Sequence, residues 1–109
     1  MKNNILEPKK DCIKKAMEII GSKWTALILR DLYLSPKGFC ELQESVGGVN
    51  PRTLSLRLQN LESNGIITSK HYRQVPPKSE YALTKKGEDL IPIIKEMSDW
   101  GAKYRASVI

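Results

Sequence analysis

A complete helix can be delimited within residues 50–65 from the sequence alone, and it constrains the fold more than any other segment. Asn50 is a good N-cap, and Pro51 suits the first helical position, where an N–H group would have no partner. Asn64 and Gly65 are the residue types that end helices in the left-handed conformation. Apolar residues recur with helical spacing on one side and predict a narrow buried stripe, formed by Leu54, Leu58 and Leu61.

The opposite face of this helix carries arginine, amide and hydroxyl groups and has no carboxylate before Glu62. Such a face suits a DNA major groove, where side chains meet base edges and phosphates. Arg52, in the first turn, is the best candidate for a base or phosphate contact. Arg57 lies nearer the buried stripe, so a phosphate contact and an internal salt bridge with Glu62 remain open. The candidate DNA contacts on this helix are Asn50, Arg52, Thr53, Ser55, Leu56, Arg57 and Gln59.

Positive charge is concentrated in and after this helix. The chain of 109 residues carries a formal net charge of +6. Residues 50–87 contain seven basic and two acidic residues, so they hold +5 of that surplus. A surplus placed on one capped helix and the segment that follows it indicates a polyanionic partner.

Composition excludes several other classes of protein. With 40% hydrophobic and 28% charged residues the chain resembles an ordinary globular protein of one domain, residues 1–109. No apolar run approaches the roughly 20 residues of a membrane span, and no apolar export segment follows the N-terminus, so we expect a cytoplasmic protein. One histidine and two distant cysteines, without a phosphate loop or paired ligands, predict no enzyme activity, no metal and no cofactor.

The remaining segments predict four more helices and a hairpin. Asp11 and Ser22 are expected to cap helices over 12–20 and 23–34, and a helix-turn-helix follows over about 39–64. β-branched residues around consecutive prolines predict a β-hairpin over about 66–83, whose candidate DNA contacts are Lys70, Arg73 and Lys78. A last helix is expected over about 85–105, kinked or restarted at Pro92.

A helix-turn-helix followed by a basic hairpin is a winged helix, a mainly α fold with one small hairpin. In this fold the helix reads the major groove, while the hairpin holds phosphates or the minor groove. The alternative is a winged-helix module for protein–protein contact or RNA. Such modules often lose the basic hairpin that this chain keeps, so duplex DNA is the favoured partner.

The chain resembles the HxlR-type winged-helix regulators, which are distantly related to the MarR group. The resemblance rests on Cys12, Phe39 and the segments 20–25, 27–32, 41–42, 50–55, 57–58, 61–62, 64–67, 75–77, 80–84, 86–87 and 100–101. It implies a homodimer that binds a pseudo-palindromic operator and controls transcription. The chain departs from the usual family pattern at Ile13, Gly38, Cys40, Asn50 and Leu56. Leu56 then either contacts a thymine methyl group or is tolerated as an exposed apolar residue.

Dimerisation is expected through the first and last helices, because the last helix carries many apolar residues for so small a domain. Its apolar residues fit the core of one chain or an interface with a second chain. The candidate interface residues are Ile13, Met17, Ile93, Met97, Trp100 and Tyr104. A twofold axis would place two recognition helices about one DNA turn apart, roughly 34 Å.

Cys12 is the candidate for redox sensing. It lies at a helix N-terminus close to several lysines, a setting that stabilises a thiolate and raises its reactivity. The resemblance implies the same role, with an oxidant or small-molecule effector, and the alternative is an inert cysteine beside the dimer interface. For Cys40 we expect helix packing rather than redox chemistry.

Overall fold

The computed structural model describes residues 10–76 and 78–105, which form helices and one β-hairpin. The N-terminal half contains α1 (Lys10–Ile20), α2 (Lys23–Leu34), α3 (Phe39–Val46) and α4 (Pro51–Ser63). The C-terminal half contains β1 (Ile67–Tyr72), β2 (Lys78–Leu83), α5 (Lys85–Glu88) and α6 (Ile91–Lys103). This order is that of the predicted winged helix-turn-helix, with α3 and α4 as the helix pair and β1–β2 as the wing.

Helix α2 is the centre around which the other elements pack. It begins as predicted, because Ser22 Oγ accepts a hydrogen bond from the backbone N–H of Trp24 at 3.2 Å. Its residues Ile28, Leu29 and Leu32 are buried, and it contacts α1, α3, α4, α6 and β2. Because α2 is mainly apolar, the neighbouring elements pack against its buried side chains to form the core.

The core joins α2 to the helix-turn-helix and to the base of the wing. The three leucines predicted to form the buried stripe of α4 are all at most 2% exposed. Burial of each such side chain stabilises the fold by roughly 1.5–3 kcal/mol. The other buried members of this cluster are Ile28, Leu29, Leu32, Leu42, Val46, Val49, Ile66 and Ile67.

The predicted cap of the first helix was wrong. Helix α1 begins at Lys10, so Asp11 lies inside its first turn instead of before it. A carboxylate in this position still interacts favourably with the positive end of the helix dipole. The residue that precedes α1 lies outside the described part of the chain.

The wing is a two-stranded antiparallel hairpin, and one isolated β-bridge joins it to the loop before α3. Its register pairs Ile67 with Leu83 at the base and Tyr72 with Lys78 near the tip. Lys37, in the loop before α3, pairs with Tyr81 through backbone hydrogen bonds of 3.0 and 2.7 Å. The wing is therefore attached both to the end of α4 and to the start of α3.

The predicted last helix is divided into α5 and α6, and the second part ends at Lys103 instead of Arg105. Thr84 Oγ1 accepts a hydrogen bond from the N–H of Gly87 and so caps α5. Helix α6 restarts at Ile91, which places Pro92 in its first turn. A proline there leaves no intrahelical hydrogen bond unmade, so the helix restarts at this position instead of kinking.

Candidate nucleic-acid interface

Both ends of α4 are held by local hydrogen bonds. Asn50 Oδ1 accepts from the backbone N–H groups of Arg52 and Thr53, at 2.7 and 3.3 Å. This cap occupies the side-chain oxygen of Asn50, which sequence analysis included among the DNA contacts. At the other end Gly65 adopts a positive φ of 73°, the left-handed conformation predicted for it.

The outward face of α4 is a stripe of three residue types. Arg52, Leu56 and Gln59 follow one another at intervals of four and three residues, on the side opposite the buried leucines. All three are exposed, and Leu56 retains 50% of its accessible surface. The face thus offers a guanidinium, a branched aliphatic group and a carboxamide in a single row.

The other candidates on α4 flank this row. Thr53, Ser55 and Arg57 are half-buried, so they border the outward face without standing at its centre. The alternative of an Arg57–Glu62 salt bridge is not realised. Glu62 Oε2 instead accepts a hydrogen bond from Ser69 Oγ of β1 at 2.8 Å. Arg57 forms no ion pair within residues 10–76 and 78–105.

The wing exposes its cations unequally. Arg73 and Lys78 are exposed near the tip, whereas Lys70 lies opposite Glu80 in the hairpin register. Glu80 Oε1 also accepts a hydrogen bond from Tyr72 Oη at 3.0 Å, and this bond raises the pKa of Tyr72 above its usual range. The single histidine of the chain, His71, is exposed on the wing, with Nδ1 2.8 Å from Ser79 Oγ.

The cations of α4 and the wing have no acidic partners among the described residues. The ion pairs found there join Arg30 to Asp31, Lys85 to Asp89 and Lys95 to Asp99, on α2, α5 and α6. None of the five cations of α4 and the wing forms an ion pair with a described residue; they are Arg52, Arg57, Lys70, Arg73 and Lys78. Charges left unpaired on one surface create the positive field that attracts a polyanion.

Two positioning networks were missed by sequence analysis. Asp31 of α2 is buried, and its carboxylate contacts Arg30 Nε at 2.8 Å and Ser45 Oγ of α3 at 2.7 Å. Lys37 Nζ donates to the backbone oxygen of the same aspartate at 2.8 Å. An aspartate among the apolar residues of a central helix was the available signal, because a buried charge requires partners.

The second network joins the end of α4 to the start of α5. Thr84 Oγ1 lies 2.6 Å from the carbonyl oxygen of Gly65, and Lys86 Nζ donates to the carbonyl oxygen of Asn64 at 2.8 Å. A Cβ atom added at Gly87 would collide with the carbonyl oxygen of Ile66. The residues that follow α4 are therefore held against the start of α5 by several polar contacts and by one close approach of two backbones.

The residues proposed for the dimer interface are all exposed in one chain. Trp100 keeps 66% of its accessible surface and forms an aromatic pair with Tyr104, with the ring centroids 5.2 Å apart. Ile13 and Met17 on α1, and Ile93 and Met97 on α6, are similarly open. The possibility that these residues belong to the core of one chain is thereby excluded.

Both cysteines are free and exposed. For Cys12, in the first turn of α1, this agrees with an accessible thiol. For Cys40 the packing expectation was wrong. The buried face of α3 is formed by Leu42 and Val46, and Cys40 points away from it into a shallow cavity of about 370 Å³ beside Lys78 and Ser79 of the wing.

Residues 10–76 and 78–105 contain neither a cluster of metal ligands nor a membrane-spanning helix. No cluster of three or more histidine, cysteine or carboxylate side chains that could hold a metal ion occurs there. In the same ranges no helix is both long enough and apolar enough to span a membrane.

A capped helix with an open polar face, next to a hairpin of unpaired cations, defines a DNA-binding winged helix-turn-helix protein. The family model described as HxlR-like helix-turn-helix matches residues 19–108. The chain therefore belongs to the HxlR-like family and is a helix-turn-helix transcriptional regulator.

Known relatives agree with this assignment. The HTH-type transcriptional regulator YdeP of Bacillus subtilis is 41% identical over 93 residues, which are 85% of this chain and 73% of the relative. The redox regulator HypR in its reduced form superposes with a TM-score of 0.81 at 35% identity, over 85% of this chain and 92% of that one. Diamide-treated YodB from B. subtilis gives a TM-score of 0.71 at 32% identity, with 84% and 90% covered.

Proposed function

We propose that the protein is a homodimer that binds a pseudo-palindromic operator, with α4 in the major groove and the wing on the adjacent backbone. The observation that carries this proposal is the absence of ion pairs, within the described residues, for all five cations of α4 and the wing. Elsewhere in the described chain, Arg30 of α2, Lys85 of α5 and Lys95 of α6 are each paired with a neighbouring acid. A surface that keeps its charges available is suited to phosphates.

The geometry supports a division of roles among the candidate residues. Arg52 and Gln59 stand at the centre of the outward face, so we assign them to base edges. Arg57, Arg73 and Lys78 are assigned to phosphates, with a smaller contribution from Lys70 opposite Glu80. Thr53 and Ser55, at the flanks of α4, are assigned to the backbone of the DNA, and Asn50 acts chiefly through the helix cap.

The dimer is proposed to form through the exposed apolar residues of α1 and α6. Six large side chains are exposed on α1 and along α6 up to its C-cap, and monomeric proteins rarely expose large apolar patches. A twofold axis would relate two copies of α4 and thereby require an operator with two similar half-sites. We also propose a single domain over residues 1–109 and a cytoplasmic location.

A binding titration across a salt series tests the DNA proposal. A labelled fragment of the promoter beside its own gene is titrated with the chain at several salt concentrations, and double-stranded RNA of equal length serves as the control. We expect a linear fall in log affinity with log salt, with a slope of about −0.9 per phosphate contact. Absence of binding at low salt, or equal affinity for RNA, would favour the alternative of an RNA- or protein-binding module.

A redox response through Cys12 is the second part of the proposal. Its support is the exposure of the thiol and the similarity to HypR, which is described as a redox regulator. The test compares promoter binding and non-reducing gels for the wild type, Cys12→Ser and Cys40→Ser after diamide treatment. We expect the wild type and Cys40→Ser to respond and Cys12→Ser not to respond. The same response in all three proteins would exclude a role for Cys12.

A further inference from the structure

The imidazole ring of His71 is anchored on the wing at one nitrogen and open at the other. Its Nδ1 atom lies 2.8 Å from the hydroxyl of Ser79, the residue directly opposite in the hairpin register. A serine hydroxyl can accept a hydrogen bond from this nitrogen or donate one to it, so the contact fits both the charged and the neutral ring. Nε2 forms no hydrogen bond with a residue of the described ranges. The ring is exposed, and its outer nitrogen is available to a further partner.

The cations of the wing surround this pair. Lys70 precedes His71, and Arg73 follows it two residues later. Lys78 precedes Ser79 on the opposite strand. None of these three cations forms an ion pair with a described residue, and all three are assigned above to DNA phosphates. A DNA backbone that contacts them passes within reach of the open edge of the ring.

The hairpin itself places no free carboxylate beside His71. Glu80 lies opposite Lys70, and side chains alternate between the two faces of a strand, so Glu80 is on the other face from His71. Its carboxylate also accepts a hydrogen bond from Tyr72 Oη. Tyr81 shares the face of His71, and burial raises its pKa above the usual range, so it stays uncharged near neutral pH.

The two helices next to the wing direct their carboxylates to other partners. Glu62 of α4 accepts a hydrogen bond from Ser69 Oγ, which lies two residues nearer the base of the wing than His71. Glu41 of α3 lines the shallow cavity beside β2, and its Oε1 accepts from the backbone N–H of Gly38. Neither carboxylate forms an ion pair with the histidine. A positive charge on the ring would therefore add to the field of the wing.

We propose that His71, held by Ser79, is a pH-dependent contact to the DNA backbone, in which Nε2–H of the protonated ring donates to a phosphate oxygen. The inference rests on the DNA binding proposed above and adds a residue to it. Histidine is the side chain that changes charge between pH 5 and 8. In the protonated ring Nδ1–H donates to the serine hydroxyl, and Nε2–H becomes a charged donor, which binds phosphate more strongly than a neutral one. Operator affinity should therefore rise as the pH falls.

Operator affinity as a function of pH tests this proposal. Fluorescence anisotropy with the promoter fragment is measured at pH 5.5, 6.5 and 7.5, under reducing conditions and at several salt concentrations. We expect about tenfold tighter binding at pH 5.5 than at pH 7.5, because each of two subunits contributes about threefold. The salt slope should also steepen over this interval by about 0.9 per subunit, as for one added phosphate contact.

Two substitutions at the same position separate the charge from any structural role. His71→Gln keeps a polar side chain without a charge and should bind at every pH with the weaker affinity of the wild type at pH 7.5. His71→Lys keeps the charge throughout and should bind at every pH with the tighter affinity. A purely structural role would weaken both variants. Ser79→Ala keeps the histidine without its anchor and should reduce the change with pH to about threefold.

Two further variants serve as controls. His71→Gln combined with Ser98→His places the single histidine on the exposed surface of α6, outside α4 and the wing, and should not restore the pH dependence. Cys40→Ser removes the thiol in the cavity beside β2 and should respond to pH as the wild type does.

Three results would overturn the proposal. The first is the same pH dependence in the wild type and in His71→Gln. The second is restored pH dependence with Ser98→His, which would attribute the effect to the total charge of the chain. The third is an unchanged response in Ser79→Ala, which would exclude the anchored ring as its cause. Absence of DNA binding by the wild type at every pH would instead contradict the proposed function itself.

Discussion

The carboxylate of Asp31 joins two helices by accepting a 2.7 Å hydrogen bond from Ser45 Oγ across the α2–α3 contact. Its other oxygen accepts from Arg30 Nε, and its backbone carbonyl accepts from Lys37 Nζ. Burial alone would raise the pKa of Asp31, but the hydrogen bonds from Arg30 and Ser45 and the positive charges of Arg30 and Lys37 together lower the pKa below the ordinary 3.8. The first helix of the helix-turn-helix is thus held by a charged group of the central helix.

Asp31→Asn should destabilise the fold by about 1–3 kcal/mol, because the hydrogen bonds to a buried charged group are weakened. The free energy of unfolding from urea titrations at pH 7 measures this change. Arg105→Gln, which changes an exposed charge at the end of the described chain, is the control and should stay within about 0.5 kcal/mol of wild type. If Asp31→Asn also stays within about 0.5 kcal/mol of wild type, the hydrogen-bond network contributes little to the free energy of unfolding.

The same residue predicts a dependence of stability on pH. Because the pKa of Asp31 is lower in the folded chain than in the unfolded chain, its contribution is present above pH 3.8. It is lost as the pH falls through the lower folded value. Urea titrations between pH 2 and pH 6 should therefore show a steeper acid loss in wild type than in Asp31→Asn. If the free energies of unfolding of the two proteins fall equally with decreasing pH, the predicted role of Asp31 in the pH dependence is wrong.

Arg52→Ala and Lys78→Ala should weaken DNA binding in different ways. Loss of a base contact by Arg52 should cost about 1–3 kcal/mol and reduce discrimination against altered operators. Loss of a phosphate contact by Lys78 should weaken binding to all sequences and reduce the salt slope by about 0.9. Fluorescence anisotropy with operator and scrambled DNA across a salt series measures both quantities. If the two variants show the same pattern, the division into base and phosphate contacts fails.

Leu56 is predicted to contact a thymine methyl group, because it is an exposed aliphatic residue in a row of polar groups on α4. Replacing single thymines of the operator by uracil removes only that methyl group. One replacement should weaken wild-type binding by several-fold and have no effect on Leu56→Ala. If no uracil position distinguishes the two proteins while both still bind DNA, Leu56 is an exposed residue without a role in readout.

Trp100→Ala is expected to weaken self-association, because it removes a large exposed side chain from the proposed interface of α6. Sedimentation equilibrium should show at least a tenfold rise in the dimer dissociation constant, as for an aromatic interface residue. Val75→Ser is the control, since Val75 is fully exposed but lies in the wing loop. An unchanged dissociation constant in Trp100→Ala would place the interface elsewhere.

Local signals account for the part of the fold that the sequence could predict. Asn50, Pro51 and Gly65 act on their own backbone neighbours, so the bounds of α4 were accessible, and its leucine spacing identified the buried face. The Ser69 partner of Glu62 and the Ser45 partner of Asp31 depend on packing between different segments of the chain. Periodicity within one segment contains no information about such contacts, although the buried charge of Asp31 was a visible anomaly.

The contacts at the end of α4 have a consequence for how the two halves of a dimer would move. Thr84 and Lys86 hold Gly65 and Asn64, the residues that follow α4, against α5, which leads directly into α6. Because these contacts leave little freedom between α4 and α5, a tilt of α6 at the proposed subunit interface would rotate α4 with it. The distance between the two copies of α4 in the dimer would then change with that tilt.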